Sequence, residues 1–177
     1  MRCVVVLASW TIASCGPKAT LEAGDPGSPA EETPASPSPL VAVTGPTEWS
    51  EPGGLCMAIP AGWSGTTAPP PDVLALDAEE GGVHLEVHVL PPGTSPTTDR
   101  PGLVLAFEDL GSYRTVPLLA PSSLRSWQPI DPAGPMVMAW WSEVGARTVS
   151  VEATFPNGRS TEGLDRVQPL LEALCTR

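Results

Sequence analysis

Two histidines and one glutamate lie at alternate positions in the segment His84-Leu85-Glu86-Val87-His88, which holds both histidines of the chain. On a β-strand, alternate side chains share one face and lie about 6.6–6.8 Å apart. Neighbouring members of this set could bind one metal ion, whereas the outer two would be about 13 Å apart. The spacing also differs from the helical H-E-x-x-H metal signature. A solvated strand face is therefore the simpler interpretation, and a metal-dependent hydrolase using His84, Glu86 and His88 is the alternative.

The other groups that could do chemistry favour packing or solvent contact. Trp140-Trp141 would place one indole on each face of a strand, so that one is in the core and the other could line a shallow apolar pocket. That pocket would make the protein a small apolar-ligand carrier, a further alternative. The acidic pairs Glu79-Glu80 and Glu108-Asp109 flank predicted turns or a helix end. We therefore expect solvated carboxylates there, and no catalytic residue, metal or cofactor.

Composition limits the elements that can position these groups. The chain has 177 residues, with 23 prolines and 17 glycines, and a formal net charge of −11. So many prolines exclude long helical arrays, because proline breaks the helix interior. The negative charge excludes a nucleic-acid partner, which requires a basic face to neutralise phosphates.

The N-terminus has the pattern of an export signal. Met1-Arg2 precedes an apolar stretch, which ends in Ile12-Ala13-Ser14-Cys15. These four residues resemble the lipobox of bacterial lipoproteins. The resemblance implies that residues 1–14 are a signal peptide that is removed, and that Cys15 is acylated, for example with palmitate.

The next segment, 15–47, is predicted to be the lipidated cysteine followed by a disordered linker. It is rich in proline, serine and alanine and contains no aromatic residue, so it cannot bury enough apolar surface to offset its ordering entropy. Its apolar island Leu40-Val41-Ala42-Val43 could add an edge strand. The remaining residues, 48–177, are long enough for one domain with its own core.

Short strands separated by Pro and Gly are expected in this domain. Val83, Leu85, Val87 and Val89 alternate with polar residues, which predicts a half-buried strand. Further strands are predicted at 55–59, 73–76, 113–119, 124–128, 136–141 and 148–155. Two helices are predicted, at 102–110 and in a C-terminal segment with the apolar stripe Leu164, Val167, Leu171 and Leu174. The predicted fold class is therefore α+β, a mostly antiparallel sheet of five to seven strands covered by two helices.

The stretch Cys56-Met57-Ala58-Ile59-Pro60-Ala61-Gly62-Trp63 resembles a phrase found near the start of PsbP-like domains in bacterial lipoproteins. Those domains also close with a long hairpin and a C-terminal helix, as residues 136–175 do in this prediction. The resemblance implies a sheet sandwiched between helices and an accessory, binding or assembly role. It supplies no catalytic residue to transfer.

The cysteine count predicts one disulfide. If the signal is removed and Cys15 is acylated, Cys56 and Cys175 are the two cysteines left in the exported domain. An oxidising compartment favours pairing of an even count. The bridge would tie the first strand of the domain to the end of the last helix.

Together these patterns predict a membrane-anchored envelope lipoprotein that acts as a non-catalytic binding or assembly module. Its partners would be the membrane, through the N-terminal lipid, and an envelope protein. The domain would face the periplasm or the cell surface. Gly16 stands where an inner-membrane retention signal of enteric bacteria has Asp, and this favours the outer membrane.

Overall fold

The computed structural model describes residues 40–113, 116–156 and 160–177, which belong to one compact unit, Pro37–Arg177. The predicted signal peptide, the lipobox and Cys15 lie outside the described residues. Within the described part of the chain, no helix is long and apolar enough to cross a membrane.

The described elements are eleven strands, one α-helix and one 3₁₀ turn, Pro117–Leu119. The α-helix, α1, spans Ser160–Ala173 and continues through Pro169. The strands are β1 Val41–Thr44, β2 Thr47–Ser50, β3 Leu55–Ile59, β4 Trp63–Thr67, β5 Asp72–Ala78, β6 His84–Leu90, β7 Leu103–Tyr113, β8 Ser122–Pro129, β9 Met136–Val144, β10 Arg147–Phe155 and β11 Leu174–Thr176.

Eight of these strands form one antiparallel sheet in the order β1-β4-β5-β6-β10-β9-β8-β7, so that β1 and β7 are its two edges. The other three form a small sheet in the order β11-β3-β2. β1 comes from the segment assigned to the linker, and it is the edge strand that the apolar island at 40–43 predicts. β9 and β10 form the long hairpin, with Val151 opposite Trp140.

The core lies between the large sheet on one side and the small sheet, α1 and the 3₁₀ turn on the other. Apolar and polar residues alternate along β6 and β10, and this alternation explains how the large sheet presents an apolar face to the core. Leu85 and Val87 of β6 and Val149, Val151 and Phe155 of β10 are fully buried there. The strand predictions for these two segments, and the half-buried face predicted for residues 83–89, are therefore confirmed.

The predicted fold class, α+β with two helices over a sheet of five to seven strands, is wrong. The domain is mostly β, with eight and three strands in its two sheets, and α1 is the one α-helix in the described ranges. The segment 102–110, predicted as a helix, lies largely in the edge strand β7. Its neighbouring apolar residues Val104 and Leu105 point to opposite faces of that strand and are both exposed. Because this edge strand is exposed on both faces, its sequence shows no alternation of apolar and polar residues. Its strand conformation is instead stabilised by pairing with β8.

A smaller error concerns the segment 113–119, which was predicted as a strand. β7 ends at Tyr113, and Pro117–Leu119 forms the 3₁₀ turn. Pro117 at the first position of that turn has no N–H for a strand ladder.

Candidate functional site

The outer face of the large sheet, which is the face turned away from the core, carries five titratable side chains in a continuous row. His84, Glu86 and His88 lie at alternate positions on β6, and the register places Asp77 opposite His84 and Asp72 opposite His88 on β5. Each imidazole Nδ1 lies close to its aspartate, at 2.7 Å for His84 and 2.8 Å for His88. We call this set the histidine row.

Glu86 connects the two halves of the histidine row. Its carboxylate lies 3.3 Å from Nε2 of His84 and 3.7 Å from Nε2 of His88. Burial alone would lower the pKa of His84, but the hydrogen bonds to Asp77 and Glu86, with their negative charges, raise the pKa above its ordinary value of 6.5. The row therefore favours the protonated form of His84.

The geometry bears on the metal-dependent alternative for His84, Glu86 and His88. Within the described ranges, no group of three or more His, Cys, Asp or Glu side chains could hold a metal ion. Both ring nitrogens of each histidine instead face carboxylates. The chemistry that this arrangement supports is proton uptake and release by an ion-paired network.

Beside the histidine row, a loop crosses the outer face of β8, β9 and β10. We call this loop, residues 91–102, the strap. Its N-terminal end is held by Glu143, whose Oε1 accepts from the backbone N–H of Gly93 at 2.8 Å and from the Thr148 hydroxyl at 2.7 Å. These two bonds lower the pKa of the Glu143 carboxyl below its ordinary value. The middle of the strap accepts a hydrogen bond from Trp127 Nε1 at the Thr98 carbonyl, 3.1 Å away.

Two arginines fasten the rest of the strap. Arg100 donates two hydrogen bonds to the Glu152 carboxylate, one of them at 2.7 Å, and its guanidinium lies 4.3 Å from the ring centre of Trp127. Arg125 donates to the carbonyl of Pro96 and lies 5.0 Å from the ring centre of Trp141. Such stacking combines cation–π attraction with bidentate pairing, which arginine is suited to provide. The strap is thus latched to the sheet by side chains.

The structure uses both tryptophans of the Trp140-Trp141 pair for packing. Trp140 is fully buried in the main core, and Trp141 lies on the outer face beneath Arg125 and is 8% exposed. The pair therefore occupies the two faces of β9 as predicted.

The edge of the large sheet at β7 carries an exposed apolar surface. Val104, Leu105 and Phe107 of β7 are 51%, 42% and 48% exposed, and Ile130, beside the start of β7, is 68% exposed. The backbone N–H of Ile130 donates to the Gly102 carbonyl at 3.0 Å, which places this side chain next to the strand. We call these four residues the β7 patch. Several exposed large apolar side chains along one edge strand are typical of an interaction site.

The small sheet holds the two cysteines of the domain. Cys56 on β3 lies directly opposite Cys175 on β11, and their Cα atoms are 4.9 Å apart in a disulfide. The predicted pairing is confirmed. The bridge joins β3 to β11 and links two residues that are 119 positions apart in the sequence.

Several residues of these sites were not predicted from the sequence. Asp72 and Asp77 join the histidine row only through the β5–β6 register, which the sequence pattern does not specify. Arg100 and Glu152 are 52 residues apart in the chain. Val104 and Phe107 were assigned to a helix. A signal for the β7 patch was available in the run of four apolar residues, 103–106, which is typical of strands as well as helices.

The sequence matches no protein-family model and no curated protein. The structure is similar to the solution structure of cyanobacterial PsbP (CyanoP) from Synechocystis sp. PCC 6803, at 11% sequence identity and a TM-score of 0.46. The match covers 82% of this chain and 96% of that one.

Proposed function

We propose that this protein is a lipid-anchored lipoprotein of the cell envelope whose β domain is a non-catalytic binding or assembly module. The observation that carries the proposal is the β7 patch. It lies on an edge strand, with Val104, Leu105 and Phe107 each more than 40% exposed. Apolar side chains at a sheet edge are costly in water and promote association with other chains. A binding function would explain why these apolar side chains remain exposed at the β7 edge.

The anchoring part of the proposal rests on the resemblance of Ile12-Ala13-Ser14-Cys15 to a lipobox and on the linker that follows. One acyl chain binds a membrane marginally, and two or more chains anchor a protein stably, at about 0.8 kcal/mol per buried CH₂. A lipid-modified cysteine followed by a polar tether would hold the domain near the membrane.

Anchoring is tested by mass spectrometry of the protein purified from its native membrane. We expect the mature chain to begin at Cys15 and to carry the mass of its acyl groups. The Cys15→Ser variant should accumulate as the unprocessed precursor without this mass. An unmodified Cys15 in the wild-type protein would overturn the anchoring part and leave the binding part standing.

Binding is tested by incorporating a photo-reactive amino acid at position 107 of the full-length protein in its native cells. We expect a discrete cross-linked adduct from this position after irradiation. A photo-reactive residue at position 172, which is exposed on α1, is the matched control and should give none. If position 107 gives no adduct, the β7 patch is not the binding surface.

A further inference from the structure

We infer that the β7 edge of the large sheet takes a positively charged, extended segment of another protein as a ninth strand, paired with β7. The inference rests on the proposed binding function and names the chemistry of the partner. It combines three observations: the main chain at the edge, the side chains on both faces of β7, and the charge around it.

The main chain of β7 supplies one of the two strands in the proposed pairing. β7 is 11 residues long and pairs with β8 on one side, and in the described part of the chain no strand pairs with its other side. An edge strand presents alternating N–H and C=O groups that another extended chain can satisfy. Main-chain hydrogen bonds supply much of the affinity in this mode of recognition.

The side chains of β7 provide apolar contacts on both faces of such an added strand. A bulge between Leu105 and Phe107 changes which face each residue occupies. Leu105 lies opposite Trp127 and shares the outer face with it, whereas Val104 and Phe107 lie opposite Gln128 and Ser126 on the other face. A partner strand with its apolar residues on either face could therefore contact part of the patch.

The charge of the domain selects a basic partner. In the described ranges, all five arginines are already ion-paired with carboxylates, namely Arg100, Arg125, Arg147, Arg166 and Arg177. Near the patch, Arg125 pairs with Glu108 on β7, and Asp131 is exposed just beyond Ile130. The chain as a whole carries a formal charge of −11, which repels a second copy and attracts a cationic segment.

The test uses a fluorescently labelled ten-residue peptide of alternating valine and lysine, with binding to the full-length protein measured by anisotropy. Two control peptides replace lysine with glutamate or carry N-methyl groups at every residue, which removes the N–H donors of both strand edges. We expect the lysine peptide to bind, more weakly as salt rises, and both control peptides to lose binding. These comparisons use the wild-type protein, so they do not depend on the folding of a variant.

Protein variants locate the binding edge. Val104→Ser combined with Phe107→Ser should weaken binding of the lysine peptide by about tenfold or more, which corresponds to about 1.4 kcal/mol. Val41→Ser on β1, where Val41 is 59% exposed, is the matched control on the other edge and should leave binding unchanged. Circular dichroism of both variants should match the wild type.

Several outcomes would overturn the inference. Equal binding of the N-methylated peptide would exclude strand addition, and equal binding of the glutamate peptide would exclude charge selection. No binding of the lysine peptide would overturn the whole inference. A photo-adduct at position 107 would then show that the β7 patch still binds a partner, but one of another kind. Concentration-dependent dimers in light scattering, abolished by the Val104→Ser and Phe107→Ser changes, would identify a second copy as the occupant.

Discussion

The edge strand β11 of the small sheet is covalently joined to its neighbour, whereas the edge strand β7 of the large sheet is held by noncovalent contacts. At the small sheet, the Cys56–Cys175 disulfide is supported by a hydrogen bond from the backbone N–H of Arg177 to the Gly54 carbonyl at 2.8 Å. At the large sheet, β7 pairs with β8 and carries the exposed patch. Its N-terminal end is also tied to the strap, since Leu103 N–H donates to the Arg100 carbonyl at 3.1 Å.

This difference suggests that stability and binding are assigned to the edges of different sheets. The disulfide secures the end of the chain, where α1 passes directly into β11. The β7 edge keeps apolar side chains that the core does not use. We call the β11 edge, which the disulfide joins to β3, the closed edge. If this division holds, substitutions should lower the free energy of unfolding most at the closed edge and least on the outer face of the large sheet.

The largest effect is expected from removing the disulfide. In the Cys56→Ser and Cys175→Ser double variant, the unfolded chain regains the freedom that a bridge across 119 residues removes. We expect a loss of about 2–5 kcal/mol in the free energy of unfolding, measured with urea. A reducing agent should destabilise the wild type to the same extent and leave the variant unchanged. A loss below about 1 kcal/mol would show that the closed edge does not depend on its cross-link.

An intermediate effect is expected where the strap meets the sheet. Arg100 and Glu152 have side chains that are 19% and 15% exposed, so Arg100→Ala leaves a largely buried carboxylate without its partner. The expected loss in the free energy of unfolding is about 1.5–3 kcal/mol, together with faster proteolysis of residues 91–102.

The matched control for this change is Arg166→Ala. Arg166 pairs with Glu80 at 3.7 Å, and both side chains are well exposed, so the loss should stay below about 1 kcal/mol. If the two arginine variants behave alike, the strap is not latched by Arg100. β7 would then depend on its pairing with β8 for its position.

The sequence is enough to predict the parts of this fold that depend on local alternation. Residues 83–89 and 148–155 alternate strictly, because one face of each strand is in the core and the other meets water or the strap. The disulfide could be predicted from the number of cysteines remaining in the domain. These features need no knowledge of which strands are neighbours.

The parts that were missed depend on strand order. The sequence predicts a helix over residues 102–110, since the adjacent residues Val104 and Leu105 are both apolar and both exposed in β7, so no alternation marks the strand. The aspartates of the histidine row come from β5, and only the β5–β6 register shows that Asp77 meets His84. Long-range pairing thus explains both the error in fold class and the residues that were missed.

The smallest effect is expected at the histidine row, in the middle strands of the large sheet and away from both edges. His84 faces Asp77 on β5 and Glu86 on its own strand, and Glu86 in turn lies opposite Glu152 on β10, which is paired with Arg100. Because these carboxylates raise the pKa of His84 above 6.5, its protonated form stabilises the fold. This contribution is fully present below the unfolded pKa of about 6.5 and is lost as pH rises through the higher folded pKa.

We therefore expect His84→Gln to lower the free energy of unfolding at pH 5.5 and to have less effect at pH 8.5. The side chain is 34% exposed, so solvent screening should keep the difference below about 1 kcal/mol. Urea unfolding of both proteins at the two pH values measures it, and high salt should shrink it because part of the attraction is screened. A variant that loses more stability at pH 8.5 than at pH 5.5 would show that neutral His84 is the stabilising form. The row would then contribute through hydrogen bonds of the uncharged imidazole.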